Sequence, residues 1–129
     1  MSDRELLEFA AKAAGIHVPT KKDYPWAYID ESGIFRDISC AGDGSRMSRW
    51  NPLTDDGDAM RLMVRLRLHA RQFPVLDDGF DAPLGMVEVW RVDDDDPMHV
   101  EFLRSGDDRL VFTRRAIVRA AAEIGRQMP

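Results

Sequence analysis

The chain of 129 residues is 44% hydrophobic and 32% charged, with a formal net charge of -5. This length and apolar content suit one domain over residues 1–129, which can bury a core without disulfides or a structural metal. The acidic balance disfavours nucleic-acid binding, because that function needs a basic footprint to neutralise phosphates. No apolar run approaches the ~18 residues of a membrane span. The single cysteine, Cys40, has no second cysteine to pair with. The charged N-terminus does not resemble a signal peptide. We therefore expect a cytoplasmic protein that does not enter a membrane.

The first predicted helix runs from about Asp3 to Ala14. Ser2 precedes it, and Glu5 follows Ser2 by three residues, which is the spacing of a capping box. Gly15 stands where a helix commonly ends, because glycine adopts the left-handed conformation with little strain. The apolar side of the helix is expected to comprise Leu6, Leu7, Phe9, Ala10, Ala13 and Ala14.

A β-hairpin is predicted after Pro19, from the segments WAYID and IFRDI. Both segments are rich in aromatic and β-branched residues, and Glu31-Ser32-Gly33 separates them as a turn. The segment CAGDGSRMSRWNP, residues 40–52, contains glycine, serine and proline. Because these residues interrupt regular structure, the segment is predicted as a loop.

The second predicted helix begins at Thr54, and its pattern extends to Gln72, before Pro74. The Thr54 hydroxyl is placed to cap the helix, and the aspartates after it lie in the first turn, where the helix dipole favours negative charge. The apolar residues fall within one narrow arc: Ala59, Leu62, Met63, Leu66 and Ala70. The polar residues fall on a separate arc: Asp58, Arg61, Arg65, His69 and Gln72. This pattern predicts an amphipathic helix lying on a sheet.

A second hairpin is predicted from GMVEVWRV and MHVEFLR, with DDDDP as its turn, and the acidic segment LDDGFDAP before it, residues 76–83, is predicted as a turn region. Alternation along the first strand indicates that one of its faces is more buried. The third helix is predicted to start at Thr113, because Phe112 and Ile117 have the spacing of a hydrophobic staple. Its buried stripe is expected to comprise Ile117, Ala120, Ala121, Ile124 and Met128.

The element order predicted from these patterns is α-β-β-α-β-β-α. This order favours an α+β fold in which one mainly antiparallel four-stranded sheet carries helices packed on it, an alpha-beta-alpha sandwich. A sheet of two hairpins leaves edge strands, and VEVWRV and HVEFLR contain strong strand formers with few charges to protect them. We therefore expect a homodimer that pairs these edges.

Three aspartates lie within four residues at the predicted start of the second helix: Asp55, Asp56 and Asp58. Hard cations prefer several carboxylate oxygens, so the cluster invites a metal site. The spacing differs from a calcium-binding EF-hand loop, which needs alternating oxygen ligands and a glutamate at its twelfth position. The interpretation favoured by the spacing is therefore helix capping, with metal binding as the alternative.

No catalytic constellation emerges from the remaining reactive residues. Cys40, His17, His69 and His99 are scattered one to an element, without the spacing of a zinc site or of a nucleophile with its base. The glycine-rich AGDGS segment lacks the ending and the flanking elements of a phosphate loop. The sequence therefore predicts neither a cofactor nor a catalytic residue.

Five residues are candidates for ligand binding: Arg46, Arg49, Trp50, Arg114 and Arg115. The first three cluster in the predicted loop, where an aromatic ring could stack a base and arginines could hold a phosphate. The last two are expected in the first turn of the third helix, where positive charge opposes the helix dipole. The alternatives are burial of Trp50 in the core and pairing of the two helix arginines with Asp107 and Asp108.

Three stretches carry a resemblance to a known family: WNPLTDDGDAMRLMVRLRL, TRRAIVRAAAEIG and RELLEFAAKAAGI. Together and in this order they resemble the phage ABA sandwich domain family, small proteins of bacteriophages and prophages. The resemblance covers nearly the whole chain, although residues 17–48 and 73–98 match only in kind. It implies an alpha-beta-alpha sandwich and an origin in phage, hence a location in the bacterial cytoplasm. No reaction or residue role comes with it.

The functional hypothesis that follows is a non-enzymatic phage or prophage accessory protein. Phages carry many small proteins that act on the host by binding, so the expected partner is a host or phage protein or a small anionic metabolite. One alternative is a metal-dependent phosphohydrolase or nuclease that uses Asp55, Asp56 and Asp58. Another is a structural subunit of a phage assembly.

Overall fold

The computed structural model describes residues 1–23, 25–74, 85–104 and 106–129. Three helices and six strands lie in these ranges. Their order is α1 (Asp3–Ala14), β1 (Tyr28–Asp30), β2 (Gly33–Asp37), β3 (Met47–Trp50), α2 (Asp56–Arg65), β4 (Leu68–Phe73), β5 (Gly85–Arg91), β6 (His99–Leu103) and α3 (Arg109–Gln127). The predicted turn region at residues 76–83 lies outside the described residues.

The strands form two antiparallel sheets of three strands each. Sheet A has the order β1-β2-β3, and sheet B has the order β4-β5-β6. The predicted α+β class and the antiparallel pairing of both hairpins are therefore confirmed. The structure has two three-stranded sheets where one four-stranded sheet was expected, because each hairpin gains a further strand, β3 or β4.

The first helix matches its prediction. Ser2 accepts a hydrogen bond from the Glu5 backbone N–H, and the Glu5 carboxylate accepts one from the Ser2 N–H, which completes the capping box. Gly15 ends the helix with a left-handed φ of 72°. These contacts are local in sequence, so neighbouring residues were sufficient to predict them.

The second helix is shorter than its apolar arc suggests. It ends at Arg65, and Arg67 then adopts a φ of 55°, which turns the chain into β4. Ala70 lies four residues after Leu66, as in a helix, but also two residues after Leu68, as in a strand. The helical and strand periods therefore coincide here, and pairing with β5 decides between them.

The third helix starts at Arg109, one turn before the predicted Thr113. Asp108 caps it by accepting hydrogen bonds from the backbone N–H groups of Leu110 and Val111. The predicted hydrophobic staple is therefore wrong, since it placed the cap too late. The predicted stripe is buried at Ile117, Ala120 and Ala121, whereas Met128 is 40% exposed.

The core joins both sheets through two packed helices: α1 contacts β2 of sheet A, and α3 contacts sheet B. Helix α3 contacts α1, α2 and all three strands of sheet B, and its alanines permit close approach. The buried apolar side chains include Leu7, Ile34, Val87, Val89, Leu103 and Val118. Within the described residues, no helix is both long and apolar enough to cross a membrane.

Candidate functional site

A cleft of about 630 Å³ lies where the C-terminal end of α1, strands β2 and β3, and α2 meet. Local backbone signals position its walls: Gly15 ends α1 at one side, and α2 begins just after β3 at the other. Its lining is Ala14, Gly15, Ile16, His17, Arg36, Ser48, Arg49, Trp50, Asp55, Asp58, Arg61, Leu62 and Arg65. Its volume exceeds those of four other surface clefts, which measure about 290–480 Å³.

The WNPLTDDGD segment contributes Trp50, Asp55 and Asp58 to the cleft lining, and hydrogen bonds of buried Asn51 hold the segment in place. The Asn51 side-chain amide donates to the Ser32 carbonyl at 2.8 Å, and its oxygen accepts from the Leu53 N–H at 2.9 Å. The Asn51 backbone N–H donates to the Asp58 carboxylate at 2.9 Å. These bonds fix the turn between β3 and α2, so the side chains on either side of it have defined positions.

The three aspartates of this segment have separate structural roles. Asp55 caps α2 by accepting from the Asp58 N–H at 2.8 Å, so the predicted cap at Thr54 is wrong. Asp56 accepts from Arg114 at 2.6 Å. Asp58, which is 8% exposed, accepts from Arg61 at 2.7 Å as well as from the Asn51 N–H. The predicted place of the cluster at the start of α2 is confirmed, with Asp56 and Asp58 in the first turn as expected and Asp55 as the cap in place of Thr54.

The directions of these hydrogen bonds do not favour a metal site formed by Asp55, Asp56 and Asp58. A hard cation needs several carboxylate oxygens directed at one point, whereas these carboxylates are directed at different protein donors. Across the described ranges, no group of three histidine, cysteine, aspartate or glutamate side chains is arranged to hold a metal ion.

The predicted composite of Trp50 with Arg114 and Arg115 does not form. Trp50 is 5% exposed and lies beside Ile34 in the core, as its structural alternative predicted, so its ring is not an open platform for a base. Arg114 donates to the Leu53 carbonyl at 2.9 Å and to Asp56. Both arginines are therefore outside the lining of the cleft.

The predicted partners of these helix arginines are also wrong. Arg115 pairs with Asp3 of α1 at 3.3 Å, while Asp107 accepts from the Arg104 N–H and Asp108 caps α3. Because α3 starts at Arg109, the two arginines lie in its second turn. The unfavourable interaction of their positive charges with the helix dipole is small there, since that interaction falls off beyond the first turn.

The two loop arginines of the predicted set are placed differently. Arg46 is exposed and outside the cleft lining. Arg49 lies on the edge strand β3 and contributes to the cleft, although it pairs with Phe35 on the face of sheet A opposite Trp50. Arg49 therefore forms part of the cleft's rim.

Two further arginines, Arg36 and Arg65, complete the cleft, and sequence reasoning had not assigned either to a binding site. Arg36 lies on the same face of β2 as Ile34, and its Nε is buried without a hydrogen-bond partner. Arg65 comes from the last turn of α2 and lies close to Gly15, where a Cβ would be 3.2 Å from its Nη2. Neither guanidinium pairs with a carboxylate of the described chain.

The charge of the cleft is opposite in sign to that of the whole chain. Four arginines and two aspartates line it, so positive charge is in excess in a protein of net charge -5. Of the aspartates, Asp58 is already neutralised by Arg61, and the hydrogen bond from this pair raises the pKa of Arg61 further. The arrangement therefore provides donors and positive charge for an anion, over a partly apolar floor formed by Ile16, Trp50 and Leu62.

No signal in the local sequence could identify Arg36 and Arg65 as residues of one cleft. Each occupies a position that suits a strand or the polar arc of a helix, and 29 residues separate them in the chain. Comparison of the chain with protein-family models, with curated proteins and with solved structures finds no match. The geometry of the cleft is therefore the feature of the chain that points to a function.

Proposed function

We propose that this protein is a non-enzymatic binding protein that holds a small metabolite with a phosphate or carboxylate group in the cleft between α1, sheet A and α2. The observation that carries the proposal is the buried Nε of Arg36, which has no acceptor. Leaving a buried donor unsatisfied costs about 1–3 kcal/mol, more for a charged group. An anion in the cleft offsets the cost of the buried charge by pairing with the Arg36 guanidinium, which has no carboxylate partner among the described residues.

The geometry around Arg36 supports a small anion. A guanidinium presents five N–H donors in a planar fork that suits the paired oxygens of carboxylate and phosphate. Arg65 adds a second fork from α2, so two elements contribute to the same cleft. A volume of about 630 Å³ falls within the ~300–1,000 Å³ of small-molecule sites, which favours a metabolite over an extended protein segment.

The resemblance to phage ABA sandwich proteins supplies the biological setting of this proposal. In that setting the protein is a phage or prophage accessory protein that acts in the bacterial cytoplasm by binding an anionic metabolite. The metal-dependent phosphohydrolase or nuclease has less support, because Asp55, Asp56 and Asp58 are each held by protein donors. A structural subunit of a phage assembly has less support, because that function does not explain why the Nε of Arg36 is buried without an acceptor.

Calorimetric titration with inorganic phosphate, pyrophosphate and citrate tests the proposal, in low-salt buffer with chloride as the only other anion. We expect at least one probe to release heat and to raise the melting temperature. A ligand at 100 times its dissociation constant stabilises the folded state by about 2.7 kcal/mol. Arg36→Gln should lower the affinity at least tenfold, because it removes the fixed charge and most donors at the buried position.

Arg104→Gln is the matched control for this titration. It makes the same charge change at an exposed position outside the cleft, so it should leave the affinity unchanged. Absence of binding by all three probes contradicts the proposal. Equal losses of affinity in Arg36→Gln and Arg104→Gln also contradict it, because they indicate nonspecific attraction of anions to positive charge.

A further inference from the structure

The two faces of sheet B are covered to very different extents. Val87 and Val89 of β5 are fully buried on the face towards the helices. The opposite face, here called the outer face, comprises His69, Arg71, Phe73, Met86, Glu88, Trp90, Val100 and Phe102, as the strand register and alternation require. Its five apolar members are outside the core cluster, and Phe102 is 57% exposed.

The outer face carries ordered aromatic side chains beneath a charged group. The His69 and Trp90 rings are stacked at 6.2 Å between centroids. The Arg71 guanidinium lies over Phe73 at 5.4 Å and over Trp90 at 5.8 Å. Rings held in this way lose little further conformational entropy when a partner covers them, so they suit an interface.

Two opposite charges stand side by side at the centre of this face. Arg71 and Glu88 are directly opposite each other on β4 and β5. They do not form an ion pair, since Arg71 lies on the aromatic rings and Glu88 accepts from the Trp90 indole N–H at 3.1 Å. Among the residues that the structure describes, neither side chain has a partner of opposite charge within 4.0 Å.

We infer that the outer face of sheet B is a homodimer interface, covered by the same face of a second copy. A two-fold axis that lies between the two sheets, parallel to the strands and midway between β4 and β5, brings Arg71 of one subunit towards Glu88 of the partner subunit twice. The face is therefore complementary to itself in charge. Its apolar side chains pack between the two sheets as in a sandwich, with the sheets about 10 Å apart.

This interface differs from the edge-to-edge pairing predicted from VEVWRV and HVEFLR. The first of these segments is β5, the central strand of sheet B, so its backbone groups are already paired on both sides. The outer face has eight side chains, fewer than the ~20–30 residues per partner of a standard interface. The dimer should therefore be weak, with a dissociation constant on the order of 10–100 µM.

A single-stranded nucleic acid is a second occupant that aromatic side chains and an arginine could accept. The charge of the face argues against it. Glu88 stands at its centre, and the chain as a whole has a net charge of -5. Like charge repels phosphates, whereas a second copy supplies both signs in matched positions.

Sedimentation equilibrium from about 5 to 500 µM tests the inference by charge exchange. The wild type should dimerise across this range. Arg71→Glu should raise the dissociation constant at least tenfold, because it places two carboxylates against each other in each half of the interface. The double variant Arg71→Glu/Glu88→Arg should restore the wild-type value within about threefold, since opposite charges face each other again.

Controls separate interface effects from folding. Arg46→Glu makes the same charge change at an exposed position before β3, outside sheet B, and should leave dimerisation unchanged. A urea midpoint for each variant establishes that it folds. A wild type that is monomeric at all these concentrations overturns the inference. So does a dimer whose dissociation constant is the same in the wild type, in Arg71→Glu and in the double variant. A monomer that binds a fluorescent oligothymidylate and loses that binding in Phe102→Ala also overturns it, and assigns the face to nucleic acid.

Discussion

Asp58 accepts a hydrogen bond from the backbone N–H of Asn51 at 2.9 Å, and both residues are buried. Asp58→Ala leaves that N–H without its acceptor, which should lower the free energy of unfolding by about 1–3 kcal/mol. Asp58→Asn should lower it less, because an amide oxygen can still accept from Asn51. Urea unfolding of the two variants measures the difference, and equal losses would show that the ion pair with Arg61 is the dominant contribution.

The cap of α2 gives a second prediction. Asp55→Ala should destabilise the protein by about 1 kcal/mol, because Asp55 accepts the N–H of Asp58. Thr54→Ala should change stability by less than about 0.5 kcal/mol, as expected of an exposed position without a structural role. Thermal and urea unfolding of both variants provide the comparison. A larger loss in Thr54→Ala would return the cap to the position predicted from the sequence.

Gly125 permits the close crossing of α1 and α3. A Cβ at this position would lie 1.8 Å from the carbonyl oxygen of Phe9, and a backbone atom cannot move aside as a side chain can. Gly125→Ala gains about 1 kcal/mol of helix propensity, yet the clash should outweigh this gain and give a net loss of about 1–3 kcal/mol. The melting temperature should fall accordingly.

Gly57→Ala is the control for that substitution. It also lies in a helix, but its added Cβ meets the ends of the Asp55 and Arg61 side chains at 3.1 and 3.2 Å, which can adjust. Its melting temperature should stay within a few degrees of the wild type. An equal fall in both variants contradicts the assignment of Gly125 to helix contact.

Asp37 predicts a pH dependence for the loop after β2. Hydrogen bonds from the Ser39 side chain, the Ser39 backbone N–H and the Gly44 backbone N–H hold the pKa of Asp37 below its usual 3.8. Because the folded pKa is lowered, the stabilisation is complete above the unfolded pKa and is lost as the pH falls through the folded value.

Titration of the Asp37 carboxyl by NMR measures this effect. The midpoint should lie below 3.8, and the amide signals of Ser39 and Gly44 should shift with it. In Asp37→Asn those amide signals should lose this pH dependence, since no carboxylate remains. A midpoint at or above the usual value contradicts the hydrogen-bonding scheme.

The corrected location of the candidate site gives the last prediction. Arg46→Gln should leave phosphate, pyrophosphate and citrate affinities unchanged, because Arg46 lies outside the cleft lining. Arg65→Gln should weaken whichever probe binds by about tenfold or more, since it removes the second guanidinium from the cleft. Titration calorimetry compares the two variants, and the reverse order of effects would favour the loop site predicted from the sequence.

Features that depend on near neighbours in the chain were predictable. The capping box of Ser2 and Glu5, the end of α1 at Gly15 and the amphipathic start of α2 all follow from short spacings. The hairpins also follow, because alternation and turn residues are visible within a dozen positions. Burial of Trp50 in the core was one of the two alternatives that the sequence left open, and it is the one observed.

Features that depend on distant partners were decided by the tertiary structure. Strands β3 and β4 form because β2 and β5 supply hydrogen bonds to segments whose own composition is ambiguous. The same principle governs Arg114, which pairs with Asp56 across 58 residues although Asp108 is nearer in sequence. Proximity along the chain does not determine which charges meet once helices have packed.

The sequence by itself determined the α+β class, the local caps and the two hairpins, because each arises from steric and hydrogen-bonding preferences over a few residues. Only the tertiary structure decided where the candidate anion-binding cleft lies. It buried the Nε of Arg36 without an acceptor and placed Arg65 beside the same cleft. This arrangement arises where residues of α1, β2, β3 and α2 line one cleft, and local sequence patterns contain no record of it.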